Sequence, residues 1–393
     1  MAKRKIILDT LRGIAGLCVV LFHLSEPFGC YRAGAPRVEQ VCGHGYLAVE
    51  FFLLLMGYML GYAYDRRWQE GMGFGSFCLR RLKRLHPCVI SGLVIGMVVV
   101  FALSFCSEPI VGWWRTTSAG TVGWYVGAGV LMIPAFGASM LAPFNACSWT
   151  LYYEYLGNLL YALFVRRLGV KMLGMLAALS LIYSCLFVFS TENYAGIGPA
   201  MPTWAKYCAL EGGWGMNGWH ATAGTVRLFF PFFFGLLLFR LGLKIALPKR
   251  FALPVSVAIF LAVLFTPYSY KLGYPAHPWI NGLFDLAAVG IVFPLLILIG
   301  VGSETPDGGE GRISRISVFF AELSYPLYMS HYPFMFVHNW WARTKTVNLS
   351  TTTVICVCVA EFVFYVVLSI GVMTLLNRLT APKRSEACSI GKQ

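Results

Sequence analysis

Ten stretches of this chain are apolar for about as long as a helix needs to cross a bilayer, and that recurrence restricts the fold before any other feature. They fall at 6–28, 46–65, 88–107, 148–165, 172–190, 225–243, 251–268, 282–301, 316–340 and 352–376. A hydrocarbon core about 30 Å thick takes about twenty helical residues at a rise of about 1.5 Å each. Backbone groups at that depth must be satisfied within the chain, and continuous runs of this length do so as helices. Hydrophobic residues make up 58% of the 393 and charged ones only 12%, about half the charged share of a soluble domain. A soluble fold is thereby excluded. The expectation is an all-α polytopic membrane bundle of about ten transmembrane helices. A further apolar run at 121–136 is short and rich in glycine, and it reads as re-entrant or interfacial, because a crossing there inverts everything downstream.

Charge sets the orientation. A formal net charge of +14 in a soluble protein points to nucleic acid, but here the positive-inside bias accounts for it. With both termini cytoplasmic, 22 of the 31 lysines and arginines fall on inner segments and 8 on outer ones, with Arg12 inside the first span. No nucleic-acid partner is expected, and the lipid bilayer is. The first span has few residues before it and no small-residue cleavage site after it, so it is expected to stay as a signal anchor. Residues 1–376 read as one membrane domain and 377–393 as a short cytoplasmic tail. The polar stretch Gly302–Arg315 reads as a flexible cytoplasmic loop.

The twelve cysteines include no CxxC pair. Cys356 and Cys358 lie two apart on different helix faces, which is poor ligand geometry, so no metal is expected. Cys30 and Cys42 bracket the first outer loop and can pair in an oxidising compartment, although small apolar packing is the ordinary role for cysteines in such a chain.

Ionisable groups at membrane depth usually face the bundle interior and serve binding, chemistry or a polar partner. Arg12 and His23 are eleven residues apart, which puts them on one helix face, within about 20°, and about 16 Å apart in depth. Counting from the predicted span ends places His23, Glu50, Glu154 and His331 together in one outer layer. At the inner surface, FCLRRLKRLHP packs Arg80, Arg81, Lys83 and Arg84 where a helix enters the membrane. Such a cluster can hold phosphate through forked guanidinium contacts or anchor lipid headgroups. Asp9, one turn before Arg12, is a candidate partner for that buried arginine. Each outer residue also has a structural account: His23 and His331 as helix-to-helix hydrogen bonders, Glu154 as an acceptor for its neighbouring tyrosines and Trp149, Glu50 as the partner of an unseen donor. For Asp285, Glu322, His338 and Glu361 the structural account is preferred.

Five segments in order resemble the acyltransferase 3 family of membrane proteins, from Leu8 to about Leu376. ILDTLRGIAGLCVVLFHL matches the family's opening, with its arginine and histidine at Arg12 and His23. YLAVEFFLLLMGYML is similar to the second helix, with Glu50 where Asp is usual and Met56 where Ser is usual. LRRLKRLHP carries the RxxR at Arg81 and Arg84. SWTLYYEYLGNLLYAL places Trp149 and Glu154, and ELSYPLYMSHYPFMF places Ser324, Tyr325 and His331.

The resemblance implies an integral membrane O-acyltransferase that moves an acyl group, acetyl in the first instance, from cytoplasmic acyl-CoA to a hydroxyl of a carbohydrate or glycoconjugate at the outer face of the plasma membrane. It implies His23 as catalytic base, and Arg12, Arg81 and Arg84 at the donor. Glu154 or Glu50 would orient the imidazole or hold sugar hydroxyls, with Trp149, Tyr325 and His331 in support. No permanently bound cofactor is expected, and acyl-CoA is a co-substrate. The outer loop Thr191–Gly224, with Tyr194, Trp204, Tyr207, Trp214, Trp219 and His220, suits either acceptor binding or an interfacial aromatic belt. The alternative function is a transporter of a sugar, acyl chain or other small solute. It calls for inverted repeats or matched broken helices, and neither is visible.

Overall fold

The computed structural model describes residues 4–30, 41–106, 110, 112–190, 209–268, 277, 279–303, 311–346 and 349–380. The Cys30 side chain, Tyr194, Trp204, Tyr207, residues 304–310 of the Gly302–Arg315 loop and the tail beyond 380 lie outside the described residues, and with them the possible pairing of Cys30 with Cys42. The helices are α1 (Ile6–Cys30), α2 (Ala48–Leu60), α3 (Arg66–Gln69), α4 (Phe74–Ser104), α5 (Gly112–Thr116), α6 (Ala119–Leu131), α7 (Ser148–Leu163), α8 (Val170–Ser190), α9 (Gly218–Arg240), α10 (Lys249–Phe265), α11 (Trp279–Ala287), α12 (Phe293–Gly302), α13 (Arg312–Ser330), α14 (Tyr332–Thr344) and α15 (Thr351–Thr380). A π-helical stretch Gly61–Asp65 joins α2 to α3, and another, Ala288–Val292, joins α11 to α12. Among the described residues there is no strand, only an isolated bridge between Met140 and Gly215.

The chain is an all-α, polytopic membrane bundle. Among the described residues, seven helical segments are long and apolar enough to cross a bilayer: Ile6–Phe28, Gly45–Gln69, Phe74–Ser104, Val170–Phe189, Gly218–Arg240, Trp279–Gly302 and Thr351–Thr380. Helix α15 shows the lipid-facing signature, with Val359, Val363 and Val367 spaced four apart and 57%, 54% and 61% exposed. Such a stripe is tolerable only where the surrounding solvent is itself apolar. Of the other expected spans, α7 and α10 are 16 and 17 residues long. The run at 316–340 is not one helix: α13 ends at Ser330 and α14 begins at Tyr332 with Pro333 in its first turn. Proline there has no N–H to give, so the ladder is interrupted and His331 is left at the junction. Helix α6 has 13 residues, about 20 Å of rise, which is too short to cross.

Close approach of helices positions the site. Helix α2 packs against α9 where Gly235 lies directly on the Leu54 carbonyl, a place with no room for a Cβ, and such small residues are what let membrane helices come together. Helix α1 packs on α13 through Thr10 Oγ1 donating to Ser317 Oγ at 2.7 Å, Gly16 against Ser324 and His23 stacked on His331. Residue numbers rise together along both helices, so the pair is parallel. A parallel pair needs an odd number of crossings between its members. The seven expected in between satisfy that condition, and an eighth at α6 does not.

Candidate active site

The C-terminal end of the α1–α13 pair carries a compact group around His23. Its ring is turned into the bundle: Nε2 lies 3.8 Å from Cys147 Sγ, the imidazole of His331 stacks with centroids 5.6 Å apart, and Tyr332 meets it edge-on at 5.0 Å. The other nitrogen, Nδ1, lies 3.3 Å from Glu26 Oε2. His331 is fully buried. Its Nδ1 donates to the Leu327 carbonyl at 2.9 Å, while its Nε2 has no hydrogen-bond partner. Tyr328, one turn before His331, hydrogen-bonds to Cys147 and Thr150.

About 16 Å further in along α1, a second group gathers on the same two helices. Arg12 donates to the Ala321 carbonyl and sits over the Tyr325 ring, 5.7 Å from its centroid. The Tyr325 hydroxyl donates to Glu154 Oε2 at 2.8 Å, and Glu154 Oε1 accepts from Arg81 Nη2 at 2.8 Å. Arg84 is exposed one turn along α4, within electrostatic reach of Arg12 and Tyr325. The buried Nε–H groups of Arg12 and Arg81 both lack acceptors. A buried cationic N–H without a partner is costly, so this layer is short of anionic acceptor. Asp9 does not supply one to Arg12, because its hydrogen bond goes to Arg4 at 2.8 Å.

A cleft of about 420 Å³ runs between α2, α7 and α13, with Glu154 and Tyr325 in one part of its lining and Thr150 and Tyr328 in another. It therefore reaches from the arginine layer to the tyrosine that touches Cys147. Two expectations are corrected by this arrangement. Glu154 is the seventh of 16 residues in its helix, and its carboxylate is taken by Arg81 and Tyr325 rather than by His23. Glu50 does not face His23 either. It is fully buried against Arg227, which pairs with both its oxygens, the Nη2–Oε2 contact being 3.1 Å. Arg227 also donates to Gly212 O at 2.9 Å and Tyr46 O at 3.1 Å. The face of Trp149 lies 4.7 Å from the guanidinium. Glu50, Arg227 and Trp149 thus tie α2, α7, α9 and the 209–217 loop together.

The described part of the aromatic outer loop is packed on itself. His220 contacts Trp214 and Trp219 with centroids 4.2 and 4.8 Å apart, and its Nδ1 accepts from the Gly213 N–H at 3.1 Å. Trp149 also lines a cavity of about 440 Å³ with Tyr125, Asn145, Ser148 and Tyr152. Among the groups read as structural, Asp285 accepts from Tyr46 at 2.9 Å and from the Leu210 N–H at 2.8 Å, and Glu322 pairs with Arg4. His338 joins Glu361 at 2.7 Å. Met56 packs against Gly157. Glu26, Cys147, Tyr328 and Arg227 are not among the residues that the sequence singles out. Glu26 had a signal, a carboxylate one turn from His23 on the same face.

A family model described as an acyltransferase domain, Acyl_transf_3, matches residues 5–378. The chain is also similar to a curated protein of Rhizobium radiobacter described as "Protein 2 in picA locus", 29% identical over 189 residues, which is 46% of this chain and 92% of that protein. No solved structure matches.

Proposed function

Because the chain belongs to the acyltransferase 3 family and is a multi-pass membrane acyltransferase, we propose that it transfers an acyl group, acetyl in the first instance, from acyl-CoA to a hydroxyl of a carbohydrate or glycoconjugate, with His23 as general base. One observation carries this reading: the parallel α1–α13 pair sets His23 and Arg12 at opposite ends of one face, and a cleft beside α13 is lined by Glu154 and Tyr325, which contact the arginines, and by Tyr328, which contacts Cys147.

Arg12, Arg81 and Arg84 receive the phosphates of acyl-CoA at the inner end, where the unpartnered Nε–H groups of Arg12 and Arg81 face a shortage of acceptor. The extended arm of the donor spans about the 16 Å of rise between Arg12 and His23 and brings the thioester to the outer group. With Nδ1–H of His23 donating to Glu26, Nε2 carries the lone pair. It takes the proton from the acceptor hydroxyl as that oxygen attacks the thioester carbonyl, and the coenzyme leaves as the thiolate. Glu154 holds Arg81 and Tyr325 in register along the cleft, and His331 and Tyr332 fix the plane of the His23 ring. The acceptor approaches from the outer face of the cytoplasmic membrane, where Trp149 lines the adjoining cavity.

The test is acyl transfer in membranes supplied with labelled acetyl-CoA, wild type against His23→Ala. Loss of about 100-fold or more is expected for removal of a general base. Undiminished transfer by the variant overturns the assignment.

A further inference from the structure

The pairing of His23 with a cysteine and a second histidine has a use that proton transfer does not absorb. We propose that His23, Cys147 and His331 form a binding site for a soft divalent transition-metal ion such as zinc, and that occupation of this site silences acyl transfer. The donor atoms of the three residues lie within 4.8 Å of one another. Zinc bonds of about 2.0 Å to nitrogen and about 2.3 Å to sulfur at a tetrahedral angle require the two donors to be about 3.6 Å apart. The observed Nε2–Sγ separation is 3.8 Å, so the pair needs almost no rearrangement.

The hydrogen bonding around the two imidazoles is independent support. His331 donates through Nδ1 to the Leu327 carbonyl, so its Nε2 is a lone pair, fully buried and without a partner. His23 has the Glu26 carboxylate on Nδ1, which likewise leaves Nε2 as the lone pair. A carboxylate or carbonyl on the far nitrogen is what fixes metal-ligating histidines in orientation and raises their basicity. Tyr328 is hydrogen-bonded to Cys147 and can stabilise a thiolate there. The donors come from three separate segments, α1, the residue before α7 and the α13–α14 junction, which is why no spacing in the sequence reveals them. Access is from the outer end, where the side chains of His23 and Glu26 are 20% and 40% exposed.

A second cluster, His338, Cys358 and Glu361, serves as the contrast. There Nδ1 is bonded to Glu361 at 2.7 Å and Nε2 to the Leu24 carbonyl at 3.0 Å, so the imidazole offers no free lone pair. At the His23 site the balance is simple. The ion binds two neutral imidazoles and the Cys147 sulfur, and the thiol proton passes to water. The lone pair that would accept the substrate proton is then committed to the ion. This silencing, unlike the binding itself, rests on His23 being the base.

The experiment uses the full chain, purified in lipid nanodiscs and titrated with cobalt(II) and then zinc. Expected are one cobalt per chain with tetrahedral d–d bands and a thiolate-to-cobalt charge-transfer band, displaced by zinc. Cys147→Ser removes the charge-transfer band, His331→Gln loses the tetrahedral spectrum, and Glu26→Gln weakens binding about 10- to 100-fold, while Cys358→Ser leaves all of it in place. Wild type without a thiolate band, or a band that persists in Cys147→Ser, overturns the site. Acyl transfer is measured on the same samples with saturating zinc. Inhibition there, relieved by a chelator, supports the silencing. A bound chain that transfers at full rate overturns the silencing and the role of His23 as base while keeping the metal site. An absent site with His23-dependent transfer does the reverse.

Discussion

The Glu26 carboxylate lies 3.3 Å from Nδ1 of His23, one turn further along the same helix, and so decides which face of the imidazole is free. With the Nδ1 proton held toward Glu26, Nε2 points at Cys147 as an acceptor. Glu26 touches no reacting atom in this arrangement and acts through His23. Replacing it with Gln keeps an acceptor on Nδ1 and removes only the charge. The expected outcome is a fall in kcat of about tenfold, a part of the roughly 10²- to 10⁴-fold that a positioned base contributes, with KM for acyl-CoA unchanged and partial recovery in Glu26→Asp. A rise in KM instead would place Glu26 in binding.

Arg81 and Arg84 share a motif but not an environment. Arg81 is buried and salt-bridged to Glu154, whereas Arg84 is exposed on the next turn. Arg84→Ala is expected to raise KM for acyl-CoA about 10- to 100-fold, the worth of one charge-assisted contact, with the melting temperature unaltered. Arg81→Ala strands a buried carboxylate and is expected to cost about 3–5 kcal/mol of stability, with recovery when Glu154→Gln is added. Thermal unfolding in detergent alongside initial rates at varied acyl-CoA separates the two effects. Equal and unchanged KM values in both variants remove the cluster from donor binding.

Glu50 and Arg227 form the buried pair beneath the outer loop, and their work is in the fold. Arg227→Leu alone leaves Glu50 charged and unpartnered, and a loss of about 3–5 kcal/mol is expected. Glu50→Gln removes the charge but keeps an oxygen for the guanidinium, so its cost is smaller. Joining the two substitutions should be less damaging than their sum, since each cost is mostly the uncompensated partner. Chemical denaturation of the four proteins in mixed micelles gives the coupling directly. Strict additivity removes the direct pairing.

What the sequence revealed, and what it concealed, follows from how information is stored in a membrane helix. The helices and the shared face of Arg12 and His23 follow from period and length alone, because the bilayer imposes both. The re-entrant reading of 121–136 likewise follows from charge bookkeeping. Depth is not legible where a helix is shorter than the membrane, as with Glu154, because counting from one end presumes a full crossing. The partner of Glu50 is not legible from charge counting, because Arg227 stands near a predicted span boundary and counts with the outer loops. Its position in GTVRLFFPFFF, an arginine among apolar residues, was the available signal. Cys147 had none, since its neighbours in space come from α1 and the α13–α14 junction, more than a hundred residues away in either direction.

The last prediction concerns Glu211, in the described part of the outer loop. Its carboxylate accepts a hydrogen bond from Tyr268, and removal from water pushes its pKa up to about 7. The folded chain therefore holds a proton there between the ordinary carboxylate value and about 7, where the unfolded chain does not. Stability from this group is fully present below the ordinary value and declines as pH rises through 7, with a slope of at most about 1.4 kcal/mol per pH unit. Wild type is expected to melt a few degrees lower at pH 8 than at pH 5.5, of the order that a kcal/mol-scale change produces. Glu211→Gln, which keeps an acceptor for Tyr268 and cannot ionise, should melt higher than wild type at pH 8 and show a flatter profile across the same window. Melting curves followed by intrinsic tryptophan fluorescence report on this loop, since Trp214 lies three residues away. Parallel pH profiles for the two proteins would remove Glu211 as the titrating group.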